Sequence, residues 1–244
     1  GGRRQADMPL YHSITSIAPD EMVKIARDAQ ANGMTQFQVK LGADYNWEAD
    51  VARLRMVREA VGSGPLVYGD WNCGATSLDA IRVGRAVQDL DIMLEQPCAT
   101  MEDCKRVKDV THLPRKMDEN AYDTASMRKA HQLGVMDAVA IKLSKFGGLS
   151  ASRAARDLCL HLGARMCIED TWGSDITTAA LSHLGASTDP KRVMNVCDLS
   201  GYVAPHVAPD GPKRENGRLA PPEGAGLGIT PDLDVLGTPA LELE

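Results

Sequence analysis

Short apolar runs recur along the chain, and stretches with the period of an amphipathic helix lie between them. Each apolar run is predicted to be a strand, and all but the first stop at a charged residue. The predicted strands end at Ile14, Lys40, Asp70, Glu95, Asp118, Lys142, Glu169 and Asp198. The last seven ends are about 26 residues apart on average, which is the length of one β-loop-α-loop unit. The pattern therefore predicts eight such units.

Five helices are predicted from the periodic stretches, and each stretch closes at a glycine expected to form a left-handed C-cap. The stretches cover residues 20–33, 48–62, 121–134, 149–163 and 175–185, and they close at Gly33, Gly62, Gly134, Gly163 and Gly185. After Asp198 the period stops, and residues 203–240 are rich in proline and glycine. We therefore expect an extended tail after the eighth strand.

Strands and helices that alternate at this spacing predict an α/β fold, namely a TIM-like (β/α)7β barrel without a regular last helix. A doubly wound open sheet is the competing α/β fold, but it usually carries a glycine-rich phosphate loop after its first strand. The predicted first strand is followed instead by TSIAPDE, which contains no glycine. The predicted boundaries are a linker at 1–8, the barrel at 9–202 and a Pro/Gly-rich C-terminal tail at 203–244.

Composition narrows the class of protein. The 244 residues carry a net charge of −6 and are 43% hydrophobic, which is ordinary for a globular chain. The mild acidity argues against nucleic acid or an anionic membrane as a partner, and no apolar run approaches the roughly 18 residues of a membrane span. The six cysteines lie far apart with no C-x-x-C pair, so we expect free, mostly buried thiols and a cytoplasmic location.

Charged residues end seven consecutive predicted strands. In a TIM barrel the carboxyl ends of the strands face the active site. Any one charged end is expected simply because a strand stops where polarity begins, but seven in succession indicate a site. Asp70, Glu95 and Asp118 come from adjacent strands, and three such carboxylates suit a hard divalent cation such as Mg²⁺.

Two lysines flank the three carboxylates, Lys40 on the second predicted strand and Lys142 on the sixth. A positive metal ion nearby favours the neutral form of a lysine, which makes the amine usable as a base near neutral pH. The strand ends therefore predict a carboxylate substrate that is held by a metal ion between two lysines.

Six motifs occur in order along the chain: FQVKLG at 37–42, GDWN at 69–72, EQP at 95–97, MDEN at 117–120, IKLSKFGGL at 141–149 and PPEGAGLGI at 221–229. Together they resemble the motifs of the enolase superfamily, in its muconate-lactonizing-enzyme-like branch. The resemblance implies that Asp70, Glu95 and Asp118 bind Mg²⁺, with Glu119 as the alternative third ligand.

The resemblance also implies that Lys40 and Lys142 are the acid/base pair. The family usually carries K-x-K on the second strand, whereas this chain has Gln38 at the first position. Lys116 is interpreted as a substitute charge, and Lys145 as a supporting residue rather than a catalytic one. Relatives of the mandelate racemase type use a histidine on strand seven, and the absence of a histidine there favours the two-lysine arrangement.

Four further residues are expected to contact the substrate. Trp172 follows the seventh strand, where an indole face can cover an apolar ring or an amine; packing against the barrel rim is the competing interpretation. Asp170 and Asp198 belong to the seventh and eighth strand ends and would hold an ammonium group. Asn72 follows the first metal ligand and faces either the ligands or the substrate. This set predicts a substrate with both a carboxylate and an amine.

The segments DTWGSDI and CDLSGY resemble those of cis-3-hydroxy-L-proline dehydratases and proline-betaine-type epimerases. The resemblance implies a Mg²⁺-dependent lyase that dehydrates cis-3-hydroxy-L-proline to 1-pyrroline-2-carboxylate. Within the same chemistry, the alternatives are epimerisation of a proline-type amino acid or betaine, and cycloisomerisation of a non-amino carboxylate. A barrel without catalytic activity is the alternative of another class.

The expected partner is a small carboxylate or amino-acid substrate, with neither nucleic acid nor a membrane. The resemblance implies an N-terminal α+β capping domain before the barrel. The opening Gly-Gly-Arg-Arg, which has no initiator methionine, is interpreted as the place where that domain would join. A homo-oligomer is also expected.

Overall fold

Eight parallel strands form one sheet in chain order. The computed structural model describes residues 2–170 and 173–241. In chain order the strands are β1 (Met8–Pro9), β2 (His12–Ile14), β3 (Gln36–Lys40), β4 (Leu66–Asp70), β5 (Met93–Glu95), β6 (Arg115–Met117), β7 (Ala138–Lys142), β8 (Arg165–Glu169), β9 (Val193–Val196), β10 (Lys213–Glu215) and β11 (Arg218–Ala220). Strands β2 to β9 form the barrel, and a parallel bridge between Leu10 and Val196 joins its two edges. The predicted TIM-like (β/α)7β barrel is therefore confirmed.

Helices connect successive barrel strands, and the last, short helix follows β11 in the tail. They are α1 (Pro19–Ala31), α2 (Trp47–Val61), α3 (Ser77–Ala86), α4 (Met101–Thr111), α5 (Thr124–Gln132), α6 (Leu143–Phe146), α7 (Leu149–Leu162), α8 (Asp175–Ala186) and α9 (Leu233–Leu236). Side-chain oxygens cap several first turns; Thr76 and Thr100 accept hydrogen bonds at the starts of α3 and α4. The sequence pattern does not locate α3 or α4, because neither ends at a glycine. Instead α4 is capped by His112, which follows its last residue and whose φ of 55° is left-handed.

The strand ends agree with the predicted ends to within two residues. Asp118 lies one residue after β6, and Asp198 lies two residues after β9. Four of the five closing glycines have the expected positive φ, namely Gly33, Gly62, Gly134 and Gly163. Charged strand ends and closing glycines therefore predict most of the element boundaries.

The prediction for Gly185 is wrong, because α8 continues through it to Ala186. A Cβ atom at this position would lie 3.0 Å from Val196 Cγ1 and 3.2 Å from Met8 Cε. Gly185 is therefore required by close packing of the helix on β9 and β1, and not by a left-handed backbone.

The C-terminal tail contains regular structure that the sequence pattern does not predict. Strands β10 and β11 form an antiparallel hairpin, and β11 also pairs with β1. Met8 and Leu219 face each other in this sheet and are fully buried, and Gly217 accepts a hydrogen bond from the Leu10 N–H at 2.8 Å. The hairpin thus covers the junction of β2 and β9, where a regular barrel places its last helix. The division into 1–8, 9–202 and 203–244 stays a prediction.

All six cysteines are free, and five of them are buried, which confirms the expected thiols. Inside the barrel lies a second apolar cluster, distinct from the main core; its buried members are Tyr11, Tyr68, Met93, Ala138, Cys167, Met194 and Cys197. Among the described helices, none combines the length and the apolar character that crossing a bilayer requires.

Candidate active site

A cavity of about 230 Å³ opens at the carboxyl ends of the barrel strands. Its walls are formed by Tyr11, Ser13, Gln38, Lys40, Asp70, Asn72, Asp118, Lys142, Glu169, Asp170 and Leu199. This is the face on which TIM barrels carry their active sites. The volume lies below the range of about 300–1,000 Å³ that is usual for larger ligands, so the cavity suits a small substrate.

The register of the parallel strands brings the charged ends together. Lys40 is paired with Asp70 on the neighbouring strand, and Asp70 is paired in turn with Glu95. Side chains two residues apart on a strand share a face, which is why Gln38 lines the cavity together with Lys40. Five of the seven predicted charged strand ends thus line one cavity, namely Lys40, Asp70, Asp118, Lys142 and Glu169.

Two of the three predicted metal ligands face lysines at the cavity wall. The Lys40 Nζ atom lies 2.5 Å from Asp70 Oδ2, and the Lys142 Nζ atom lies 2.6 Å from Asp118 Oδ2. Lys145, on α6, donates to the other carboxylate oxygen of Asp118 at 2.7 Å and to its carbonyl oxygen at 2.7 Å. Asp118 therefore has two ammonium partners at once.

The third predicted ligand, Glu95, is fully buried and lies deeper than the cavity-lining residues. Gln38 Nε2 donates to Glu95 Oε2 at 2.9 Å, and Lys116 Nζ lies 2.9 Å from Glu95 Oε1. Lys116 also donates to Glu169 Oε1 at 3.0 Å. Burial and the negative charge of Asp70 raise the pKa of Glu95, although Lys116 acts in the opposite direction.

Burial and the neighbouring opposite charges together set the pKa values of the other ionisable side chains at the site. Burial by itself would lower the pKa of Lys142, but the charges of Glu169 and Asp118 outweigh it and raise that pKa above its ordinary value. Burial would raise the pKa of Glu169, but Lys116 and Lys142 hold it well below its usual range. Burial lowers the pKa of Lys145 despite its contact with Asp118. Glu169 is therefore ionised and Lys142 protonated at neutral pH.

The donor set suits Mg²⁺, since Asp70, Glu95 and Asp118 are buried carboxylates on adjacent strands or at their ends. Across residues 2–170 and 173–241, however, no three Asp, Glu, His or Cys side chains are grouped so as to hold a metal ion. Each of the three carboxylates is paired with a lysine instead. The chemistry of the donors fits a hard cation, and its binding requires the ion pairs at the cavity wall to open.

Two of the residues expected to contact the substrate, Asn72 and Asp170, line the cavity. Asn72 accepts a hydrogen bond from Lys40 Nζ at 2.8 Å and donates to Glu119 Oε1 at 3.0 Å. Burial and the adjacent charge of Asp118 raise the pKa of Glu119. Asp170 accepts a hydrogen bond from the Ser144 N–H at 3.3 Å.

Asp198 does not line the cavity, so the structure does not bring it to the other site residues. Its carboxylate forms a salt bridge with Arg214 of β10 and accepts a hydrogen bond from the Gly201 N–H at 3.2 Å. These contacts attach the turn at Leu199–Tyr202 to the hairpin. Trp172, the fourth expected contact, lies outside the described residues.

Four residues that line the cavity were not predicted as site residues from the sequence: Tyr11, Ser13, Glu169 and Leu199. The Tyr11 hydroxyl donates to Glu169 Oε2 at 3.3 Å, and Ser13 Oγ donates to Gln38 Oε1 at 2.9 Å. Glu169 is itself a charged strand end, so the sequence carried a signal for it. The other three have neutral side chains, and no spacing distinguishes them from ordinary strand residues.

Comparison with known proteins places this site in context. Residues 21–235 match the family described as enolase C-terminal domain-like. The chain is 40% identical over 239 residues to the cis-3-hydroxy-L-proline dehydratase of Roseibium aggregatum, covering 98% of this chain and 65% of that protein. It is 27% identical to the N-succinyl-L-Arg/Lys racemase of Bacillus cereus, covering 82% of this chain and 54% of that protein. The chain therefore spans 65% or less of the length of these relatives.

A similar solved structure supports the same relationship. A member of the enolase superfamily from Roseovarius nubinhibens ISM, complexed with magnesium, superposes with a TM-score of 0.92 at 29% identity. The superposition covers 98% of this chain and 65% of that chain. Nearly all of the barrel and tail described above thus have a counterpart in a magnesium-bound protein.

Proposed function

The chain belongs to the enolase C-terminal domain-like family, and on this premise we propose that it removes the α-proton of a small carboxylate substrate with Lys40 and Lys142 as its acid/base pair. The observation that supports the proposal is one cavity in which both lysines lie among buried carboxylates. Lys40 ends β3 and Lys142 ends β7, and these strands are on opposite sides of the barrel. A substrate between them presents each face of its α-carbon to one amine.

The proposed metal ion is Mg²⁺, held by Asp70, Glu95 and Asp118, with Glu119 as the alternative third ligand. Removal of the α-proton of a carboxylate is feasible only when the resulting negative charge is stabilised. When bound, Mg²⁺ supplies positive charge for that purpose. The all-oxygen donor set and the magnesium-bound relative support this assignment.

The residues around the two lysines keep them in place for proton transfer. Asn72 accepts a hydrogen bond from Lys40, which directs the amine along the cavity wall. Lys142 donates to Asp118, and Lys145 donates to the same carboxylate. When Lys142 turns towards the substrate, Lys145 therefore keeps Asp118 paired, and the cost of leaving a buried charge alone is avoided.

The proposed substrate is cis-3-hydroxy-L-proline. One lysine removes the α-proton, the C3–O bond breaks, and the hydroxyl leaves as water with a proton from the other lysine. The enamine product then tautomerises to 1-pyrroline-2-carboxylate. The 40% identity to a cis-3-hydroxy-L-proline dehydratase supports this choice.

Epimerisation of a proline-type amino acid is the second candidate. Two lysines on opposite faces can take the proton from one face and return one on the other, with no group expelled. The similarity to a racemase supports this outcome less strongly, because the identity is 27%.

Incubation with cis-3-hydroxy-L-proline and Mg²⁺ in heavy water separates the two reactions. Formation of a cyclic imine with loss of the hydroxyl supports dehydration, whereas deuterium at the inverted α-carbon of recovered substrate supports epimerisation. Lys142→Met is the matched control, since it removes one amine and leaves Lys145 as the partner of Asp118. If proline derivatives give neither product, the substrate assignment fails.

A further inference from the structure

We propose that Glu169 recognises an ammonium group on the substrate, so that the cavity selects amino-acid carboxylates over carboxylates that lack an amine. The proposal rests on the proposed function, because it takes the cavity as the substrate site. Glu169 ends β8 and lines the cavity with a side chain that is only 4% exposed. A cation that reaches this carboxylate is therefore well shielded from water, and the attraction between them is correspondingly strong.

The register of strands β7 and β8 places Glu169 beside Lys142, where the amine of an α-amino acid would lie. Glu169 is paired with Lys142 on the neighbouring strand. In an α-amino acid the nitrogen is bonded directly to the α-carbon, so a group that holds the nitrogen must lie beside a group that reaches the α-proton. Of the two proposed acid/base lysines, Lys142 has this carboxylate as its strand neighbour, while Lys40 is paired with Asp70, a proposed metal ligand.

Three neighbours hold the Glu169 carboxylate in place without exhausting it. Lys116 Nζ donates to Oε1 at 3.0 Å, the Tyr11 hydroxyl donates to Oε2 at 3.3 Å, and the Cys167 thiol is a third partner. A carboxylate can accept about four hydrogen bonds, so capacity for a further donor remains. The carboxylate is therefore preorganised to accept an N–H from a ligand.

The ionised Glu169 carboxylate also favours a cationic ligand. The lysines beside it are shared with other acids, since Lys116 also lies 2.9 Å from Glu95 and Lys142 lies 2.6 Å from Asp118. An ammonium group on the substrate would add an opposite charge beside Glu169, whereas a neutral ring atom would not.

The sequence pattern favours Asp170 and Asp198 as the ammonium partners instead. In the structure Asp198 is held by Arg214 and by the Gly201 N–H, and it does not line the cavity. The two assignments can therefore be separated by mutation of one carboxylate at a time.

Binding of two ring carboxylates that carry no 3-hydroxyl tests the proposal. L-Proline contains the ring ammonium, and cyclopentanecarboxylate has the same ring without nitrogen. Dissociation constants for both are measured with Mg²⁺ present, for the wild-type protein, Glu169→Gln and Asp198→Asn. The wild type is expected to prefer L-proline, and Glu169→Gln is expected to reduce that preference by about 10- to 100-fold, the range for a hydrogen bond to a charged group. Asp198→Asn is expected to keep it.

Two results would overturn the proposal: equal binding of both compounds by the wild type, or loss of the preference in Asp198→Asn instead of Glu169→Gln. A clear preference without turnover of any proline derivative contradicts the proposed reaction but leaves the ammonium assignment standing. If Glu169→Gln does not fold, Glu169→Asp takes its place, because the shorter side chain keeps the charge for Lys116 and withdraws from the ligand. Its preference should also fall.

Discussion

Lys116 is the residue on which the charges inside the barrel depend. It is fully buried, and its ammonium group lies between Glu95 and Glu169. The rings of Tyr68 and Tyr11 enclose it, with centroids 5.0 and 5.6 Å from Nζ. Burial opposes the charge, but the neighbouring carboxylates raise the pKa of Lys116 well above its ordinary value. Lys116 is therefore charged; it pairs with the ionised Glu169 and also contacts Glu95, whose pKa is raised to about 8.

Replacement of Lys116 by Met is expected to lower the free energy of unfolding by about 3–5 kcal/mol, because it leaves the buried, ionised Glu169 without this partner. Chemical denaturation measures this value. The double variant Lys116→Met/Glu169→Gln should recover part of the loss, since it also removes the orphaned charge. A single variant as stable as the wild type would show that the ion pairs contribute little.

The two cavity lysines are expected to affect turnover rather than stability. Lys40→Met and Lys142→Met should each reduce kcat by about 10²- to 10⁴-fold, the usual contribution of a general acid or base, with a smaller change in KM. Steady-state kinetics with cis-3-hydroxy-L-proline measures both constants, and thermal unfolding verifies that each variant is folded. A variant that keeps its kcat would remove that lysine from the proposed pair.

Helix α8 begins at a carboxylate that also holds the C-terminal tail. Asp175 accepts hydrogen bonds from the Val207 and Ala208 N–H groups at 2.9 and 3.3 Å and from the His206 ring at 3.0 Å, and it lies 3.4 Å from Arg214. Burial would raise the pKa of Asp175, but the hydrogen bonds from His206 and the tail backbone outweigh burial and lower it. The ionised form is therefore the one that binds the tail.

A pKa lowered by folding makes stability depend on pH in one direction. The contribution of Asp175 is fully present above its unfolded pKa of about 3.9 and is lost as the pH falls through the lower folded value. Asp175→Asn is expected to cost about 1–3 kcal/mol of unfolding free energy at pH 7. The difference from the wild type should shrink as the pH falls below about 4. Urea denaturation over a pH series measures it, and a constant difference would contradict this account.

Most elements of the barrel could be predicted from the sequence because a charged strand end and a closing glycine are local signals. Helices α3 and α4 lack the glycine and are not located by it. Gly185 does not close a helix. It is a glycine because the helix packs closely against Val196, and this contact depends on residues distant in the sequence. The tail hairpin was also beyond prediction, since β11 is held by β1 at the other end of the chain.

Metal binding is expected to stabilise the whole molecule. If the three carboxylates hold Mg²⁺ only in the folded state, free Mg²⁺ at 100 times its Kd adds about 2.7 kcal/mol to the unfolding free energy. Thermal unfolding with increasing Mg²⁺, and again after addition of EDTA, measures the effect. Asp70→Asn should abolish it, whereas Asp137→Asn, a half-exposed carboxylate paired with Lys108, should keep it. An equal rise in both variants would argue for nonspecific ion binding.

Most of the charges that line the cavity could be predicted, because parallel strands bring their ends to one opening. Its neutral walls could not, since Tyr11 and Ser13 look like ordinary strand residues. The position of Asp198 was also hidden, because its partner Arg214 belongs to a hairpin that the sequence pattern does not show. In each case the position depends on contacts between segments that are distant in the sequence.

The junction of β2 and β9 differs from every other strand contact of the barrel sheet. The bridge between Leu10 and Val196 joins residues 186 positions apart, whereas the other neighbouring strands follow one another along the chain. Such a remote contact has the largest loop-closure cost, so the two strands are expected to meet late in folding.

Closure at this junction also completes one wall of the cavity. Tyr11 and Leu199 lie beside the junction in the cavity wall, while Asp70 and Glu95 are held by β4 and β5, which follow one another along the chain. The acidic side of the cavity can therefore assemble from neighbouring strands, whereas the complete cavity is expected to form only when the two ends of the barrel sheet meet.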